Sequence, residues 1–97
     1  MAYEVVLKKR FTTKVLKLLS YLDKEWLQKT AADFLHKLDR RIEQLQKQPY
    51  AGRESSKIKN IRGVLITRHN KMYYKITGKK IIILNIYDTR KKKKKNP

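Results

Sequence analysis

The sequence predicts an α+β fold, a two-layer sandwich in which an antiparallel sheet carries a helical hairpin on one face, with its elements in the order β-α-α-β-β-β. Three observations predict it. Residues 3–8 (YEVVLK) alternate Tyr3, Val5 and Leu7 against Glu4, Val6 and Lys8, the period of a half-buried strand. From Phe11 the apolar residues recur at three- and four-residue steps until Pro49. Residues 61–90 (IRGVLITRHNKMYYKITGKKIIILNIYDTR) then return to alternation, broken by turn signals at His69-Asn70 and Gly78.

Taken in order, the first strand gives way to a helix whose buried stripe is Phe11, Val15, Leu18, Leu19, Leu22 and Trp26, with Lys14, Lys17, Asp23 and Lys24 opposite. Thr12 or Thr13 is placed to cap it. A second helix begins at Thr30, with Asp33 completing a shortened capping box, and its stripe is Ala31, Phe34, Leu35, Leu38, Ile42 and Leu45. The short joint near Gln28 and Lys29 folds the two into a hairpin, and each stripe needs an apolar surface to cover it. Pro49 and Gly52 punctuate a loop over residues 48–59.

A two-residue loop at His69-Asn70 opposes Arg68 with Lys71, Ile66 with Tyr73, Val64 with Lys75 and Arg62 with Thr77. This register makes one face cationic and gives Ile61, Leu65, Met72, Tyr74 and Ile76 to the other. A three-residue loop over residues 78–80 adds Ile82, Leu84 and Ile86 to the apolar face and Asn85 and Tyr87 to the cationic one. A slip of one residue reverses every assignment.

The 97 residues suit one domain over residues 1–90, followed by a polybasic tail over residues 91–97. Charge is divided unevenly. Residues 1–54 hold 12 basic and 7 acidic side chains, a balance of +5, while residues 55–97 hold 14 basic and 1 acidic, a balance of +13. A one-signed surface attracts a polyanion or an acidic protein. The chain lacks cysteine and its longest apolar run is residues 81–84, so a soluble, cytoplasmic protein with no membrane partner is expected. With two separated histidines and one acidic residue after Glu54, no metal site is expected, and three scattered glycines predict no phosphate-cradling loop and no small-molecule cofactor.

On the cationic face Arg62, Arg68, Lys71 and Lys75 interleave with Tyr73 and Tyr87, cations for phosphates beside rings for bases. Lys91, Lys92 and Lys93 extend the nucleic-acid-binding set into the tail. Cleavage through an RNA 2′-hydroxyl needs a proton acceptor, a proton donor and cations for the charged phosphorane. The candidates are Arg62 or Arg90 for the phosphate, Tyr87 as acid or orienting group, and His69, the one histidine in this half of the sequence, as a proton-transfer group. His69 also reads simply as a polar turn residue, and Asp88 as an ion-pair partner of Arg90 or Arg62.

The element order, Pro49-x-x-Gly52, Asn60-Ile61-Arg62, Thr67-Arg68-His69-Asn70, Tyr73-Tyr74 and Ile86-Tyr87-Asp88-Thr89-Arg90 together resemble the RelE/ParE superfamily of bacterial toxins. The resemblance spans residues 3–90. It departs at Lys91 to Lys95, where relatives run from Asp-x-Arg into a short Asn-Pro tail. It implies the toxin of a type II toxin–antitoxin pair, neutralised by an acidic cognate antitoxin protein. RelE-like members resemble ribosome-dependent ribonucleases, which makes the ribosome and mRNA the expected target; the alternative is ParE-like, non-enzymatic inhibition of DNA gyrase.

Overall fold

The computed structural model describes residues 2–25 and 28–89. Its elements are β1 (Glu4–Leu7), α1 (Lys9–Glu25), α2 (Gln28–Lys47), a 3-10 turn (Pro49–Ala51), β2 (Arg53–Glu54), β3 (Arg62–Thr67), β4 (Asn70–Thr77) and β5 (Lys80–Asp88). They form one five-stranded sheet, ordered β1-β5-β4-β3-β2, with the helical hairpin following β1. The α+β sandwich is as the sequence predicts, with two additions. The sheet is mixed, because β1 runs parallel to β5, and the expected loop contains the short strand β2, antiparallel to β3.

Both helices begin before their expected caps. Thr12 lies inside α1, where its hydroxyl donates to Lys9 O at 3.0 Å, a local back-bond rather than a cap. Thr30 likewise falls within the first turn of α2. Much of each stripe packs as expected: Phe11 and Val15 of α1 and Phe34, Leu38 and Leu45 of α2 meet Ile66, Met72, Tyr74, Ile81, Ile83 and Ile86 of the sheet in one core, with Leu18, Leu19 and Ile42 packed against it. Each fully buried aliphatic side chain there contributes roughly 1.5–3 kcal/mol relative to exposure. Leu35, expected in the second stripe, is exposed instead, and the side chains at 22 and 26 lie outside the described residues.

The register of the sheet corrects the sequence reading. The β3–β4 loop is Arg68-His69, not His69-Asn70, so Thr67 opposes Asn70, Leu65 opposes Lys71, Val64 opposes Met72 and Arg62 opposes Tyr74. This shift of one residue turns Arg62 and Val64 to the helix side and Leu65 to the open side. An irregularity at Ile66 returns that residue to the core. The β4–β5 loop is Gly78-Lys79, with Gly78 at φ +60°, a conformation that glycine adopts without cost. Ile81 and Ile83 are therefore the buried pair, instead of Ile82 and Leu84. A bulge then leaves Leu84 unopposed, since Tyr74 pairs with Ile83 and Tyr73 with Asn85. The extra residue reverses the alternation, so Ile86 faces the core and Asn85 and Tyr87 face outward, as expected.

A buried latch fixes where Arg62 points. The Tyr74 hydroxyl donates to Pro49 O at 2.7 Å and accepts the Gly52 N–H at 2.9 Å, tying the 3-10 turn to the centre of the sheet. Arg62 reinforces it: its guanidinium donates to Gly52 O at 2.7 Å and lies 4.9 Å from the Tyr50 ring centroid. Burial pushes the Tyr74 phenol above its ordinary value of 10.0, opposed in part by the Gly52 N–H and by the charge of Arg62.

Candidate functional site

The sheet face turned away from the helices is built by strand alternation. Opposed residues share a face, so Lys71 with Tyr87, Tyr73 with Asn85 and Lys75 with Ile82 stand together there, joined from β3 by Gly63 and Leu65. The Tyr73 and Tyr87 rings meet edge to face, 5.5 Å between centroids at 72°. Lys71 Nζ lies 5.5 Å from the Tyr73 centroid, and Lys14 Nζ, from α1, lies 4.2 Å from that of Tyr87. Two rings and two ammonium groups thus form a continuous cation–aromatic row.

Neighbours hold the row in place. Asn85 is buried among the open-face residues, and its amide donates to Tyr87 Oη at 3.0 Å while its carbonyl oxygen accepts the Ile86 N–H at 2.9 Å. A phenol that accepts in this way keeps its own O–H as a donor. Gly63 supplies the space: a Cβ there would lie 2.7 Å from Lys71 Cε and 3.2 Å from a Tyr73 ring carbon. The side chains of Lys71 and Tyr73 fold over the position where β3 has none.

The expected site residues divide between places. Lys71, Tyr73, Lys75 and Tyr87 converge on the open face, and Tyr87 is 45% exposed. Arg62 does not join them, because its strand position and its bond to Gly52 O place it with the helix-side latch. Arg68 and His69 form the β3–β4 turn at one end of the face. There the His69 N–H donates to Thr67 Oγ1 at 3.1 Å, and Thr89 straps the end of β5 to the turn, its N–H donating to His69 O at 2.9 Å and its hydroxyl to Arg68 O at 3.2 Å. Arg68 Nε donates to His69 Nε2 at 3.4 Å. Arg90, Lys91, Lys92 and Lys93 lie outside the described residues.

Two contributors escaped the sequence reading. Lys14 follows Phe11 by three residues and so sits on the flank of the α1 stripe, which was the available hint that it reaches the sheet. Asn85 was placed on the correct face without a role; a lone amide among isoleucines was the signal that something there needed a hydrogen bond. Among the described residues no cluster of His, Asp or Glu fit for a metal is present, and no helix is long and apolar enough to cross a membrane.

The fold matches solved toxin structures. A component of the chromosomal ParDE toxin–antitoxin system of P. aeruginosa superposes with a TM-score of 0.76 at 13% identity, over 90% of this chain and 96% of that one. A mutant of the E. coli toxin RelE in its free state gives 0.66 at 11% identity, over 96% and 90%. The E. coli DinJ–YafQ toxin–antitoxin complex gives 0.65 at 14% identity, over 94% and 97%. No curated protein matches in sequence. The model of the family described as the ParE toxin of the type II toxin–antitoxin system parDE matches residues 5–92. With nearly the whole described fold inside that match, the chain belongs to the ParE toxin family, within the RelE/ParE superfamily of type II toxins.

Proposed function

We propose that this toxin acts in the cytoplasm as a non-enzymatic inhibitor that grips DNA gyrase through its open sheet face, and that an acidic antitoxin holds it in check. The observation that carries the choice of target is the separation of Arg62 from Tyr87. RNA cleavage calls for Arg62 or Arg90 to hold the phosphate beside Tyr87; Arg62 is bonded to Gly52 O and lies beside the Tyr50 ring on the helix side, and Arg90 lies outside the described residues. What remains on the open face is a binding surface, cations alternating with rings, suited to acidic or aromatic partners.

Ribosome-dependent mRNA cleavage is the second reading, favoured by the Tyr73–Tyr87 pair flanked by Lys71 and Lys75, a platform on which single-stranded bases can stack. Two measurements on the same induced culture separate them. Gyrase inhibition predicts loss of plasmid supercoiling while messages stay intact. Codon-phased cuts in translated messages, with supercoiling preserved, would overturn it. The antitoxin part of the proposal is supported by ParDE and DinJ–YafQ, which are toxin–antitoxin assemblies. It fails if the product of an adjacent small gene neither restores growth nor binds the chain.

A further inference from the structure

Asn85 is buried, and a buried amide has both its donor and its acceptor end to satisfy. The backbone decides which end faces where. β1 accompanies β5 only as far as Ile83, where the Lys8 N–H donates to Ile83 O at 3.0 Å. Past that point the Ile86 N–H takes its acceptor from the Asn85 side chain, at 2.9 Å. An N–H can only donate, so the atom facing it is Oδ1, and Nδ2 is left to donate to Tyr87 Oη at 3.0 Å. The phenol oxygen therefore accepts from within the protein. Its own hydrogen has to point elsewhere, and because Tyr87 is exposed, it points to the surface.

Resting on the reading that the open face grips a protein target, we infer that Tyr87 donates a hydrogen bond to a carboxylate of that target, and that Asn85 is the positioning residue that sets the direction of the bond. Buried itself, Asn85 acts through Tyr87. The charge beside the phenol suits an anionic acceptor, because Lys71 stands directly opposite Tyr87 across β4 and β5. A hydrogen bond to an ionised acceptor is about twice as strong as a neutral one. The rings favour a carboxylate over a nucleotide phosphate: Lys14 Nζ lies over the Tyr87 face at 4.2 Å and the two rings meet edge to face, which leaves less open face for a base to stack on.

Asn85→Asp tests the direction, since it keeps an acceptor for the Ile86 N–H but replaces the amide donor by a second acceptor, to which the Tyr87 hydroxyl turns inward and donates. In the unaltered chain Tyr87→Phe should weaken inhibition of purified gyrase about tenfold, whereas in the Asn85→Asp background the same change should matter by less than about twofold. The added charge is common to both members of the second pair and cancels. Replacing Tyr87 by para-aminophenylalanine keeps a donor at the ring tip and should recover most of the Tyr87→Phe loss, a comparison that decides the matter even if Asn85→Asp does not fold. In Raman spectra of the free chains, the tyrosine ring doublet that separates donating from accepting phenols should move toward donation in Asn85→Asp. Equal losses in the two backgrounds, no recovery with the amine, or an unmoved doublet would overturn the donor role. Affinity for an oligouridine should change by less than about twofold on Tyr87→Phe, and a loss there as large as that against gyrase would give the acceptor to a phosphate and overturn the carboxylate. If the unaltered chain leaves gyrase active, the choice of gyrase falls, and the same comparisons read on growth arrest decide the bond.

Discussion

At the scale of single residues, Tyr74 and Gly52 are coupled. A methyl group on Gly52 would collide with Tyr74 Oη and lie 2.8 Å from its ring, in a place closed off by Gly63 O at 3.0 Å. Gly52→Ala should therefore cost about 1–3 kcal/mol of stability by urea titration, as overpacking does elsewhere. Tyr74→Phe should cost a similar amount, because it leaves the buried Gly52 N–H and Pro49 O without their partner. The double variant should fall short of the sum, since removing the hydroxyl makes room for the methyl. Tyr74 also sets an alkaline limit. Its folded pKa is raised, so above about pH 10 the unfolded chain gives up a proton that the folded chain retains, and stability falls as pH rises further. Tyr74→Phe should show a shallower decline over that range, and parallel curves would remove Tyr74 as the cause.

At the scale of elements, the row across β4 and β5 is expected to act as a unit. Tyr87→Ala removes the ring that Tyr73, Lys14 and Asn85 all contact, and should raise the inhibitory concentration against the target at least roughly tenfold without lowering the melting temperature appreciably. His69→Ala should leave inhibition nearly unchanged, because the bonds that hold the turn use the His69 backbone. The common face of Lys71, Tyr73 and Lys75 was legible in the sequence from alternation within β4, and Tyr87 joins it as expected because the bulge at Leu84 offsets the one-residue difference in the β4–β5 loop. The position of Arg62 was not. It depends on whether Arg68-His69 or His69-Asn70 forms the loop, and with no glycine in either pair the sequence offers no strong preference. Residues 81–84 hid the second ambiguity, because four consecutive apolar side chains satisfy either register and conceal the bulge at Leu84. The helices were read from their stripes, while their starts were missed because threonine serves the interior of a helical turn as well as its cap.

At the scale of the whole molecule, the charge of +18 makes binding sensitive to salt, and the lysines at 91–95 contribute five of those charges. If they meet a polyanion, deleting residues 91–97 should flatten the slope of log affinity against log salt, by about 0.9 per phosphate contacted on duplex DNA or about 0.7 on a single strand. Binding curves for the full and shortened chains at several salt concentrations measure this directly. Identical slopes would confine the working surface to residues before the tail.

The parallel pairing of β1 with β5 has a consequence for timing. Glu4 lies opposite Lys80, so the first strand to be synthesised has to wait for the last before its edge is covered. Closing so long a loop adds little to the equilibrium cost, about 0.6 kcal/mol per doubling of length, but pairings this distant in sequence form slowly. The row on the open face is subject to the same wait, since Tyr73 belongs to β4 and Tyr87 to β5. A nascent chain has both helices well before it has the Tyr73–Tyr87 row. On the proposed reading, the chain acquires its binding face only once β5 has been made, and a partner translated nearby has that interval in which to reach it.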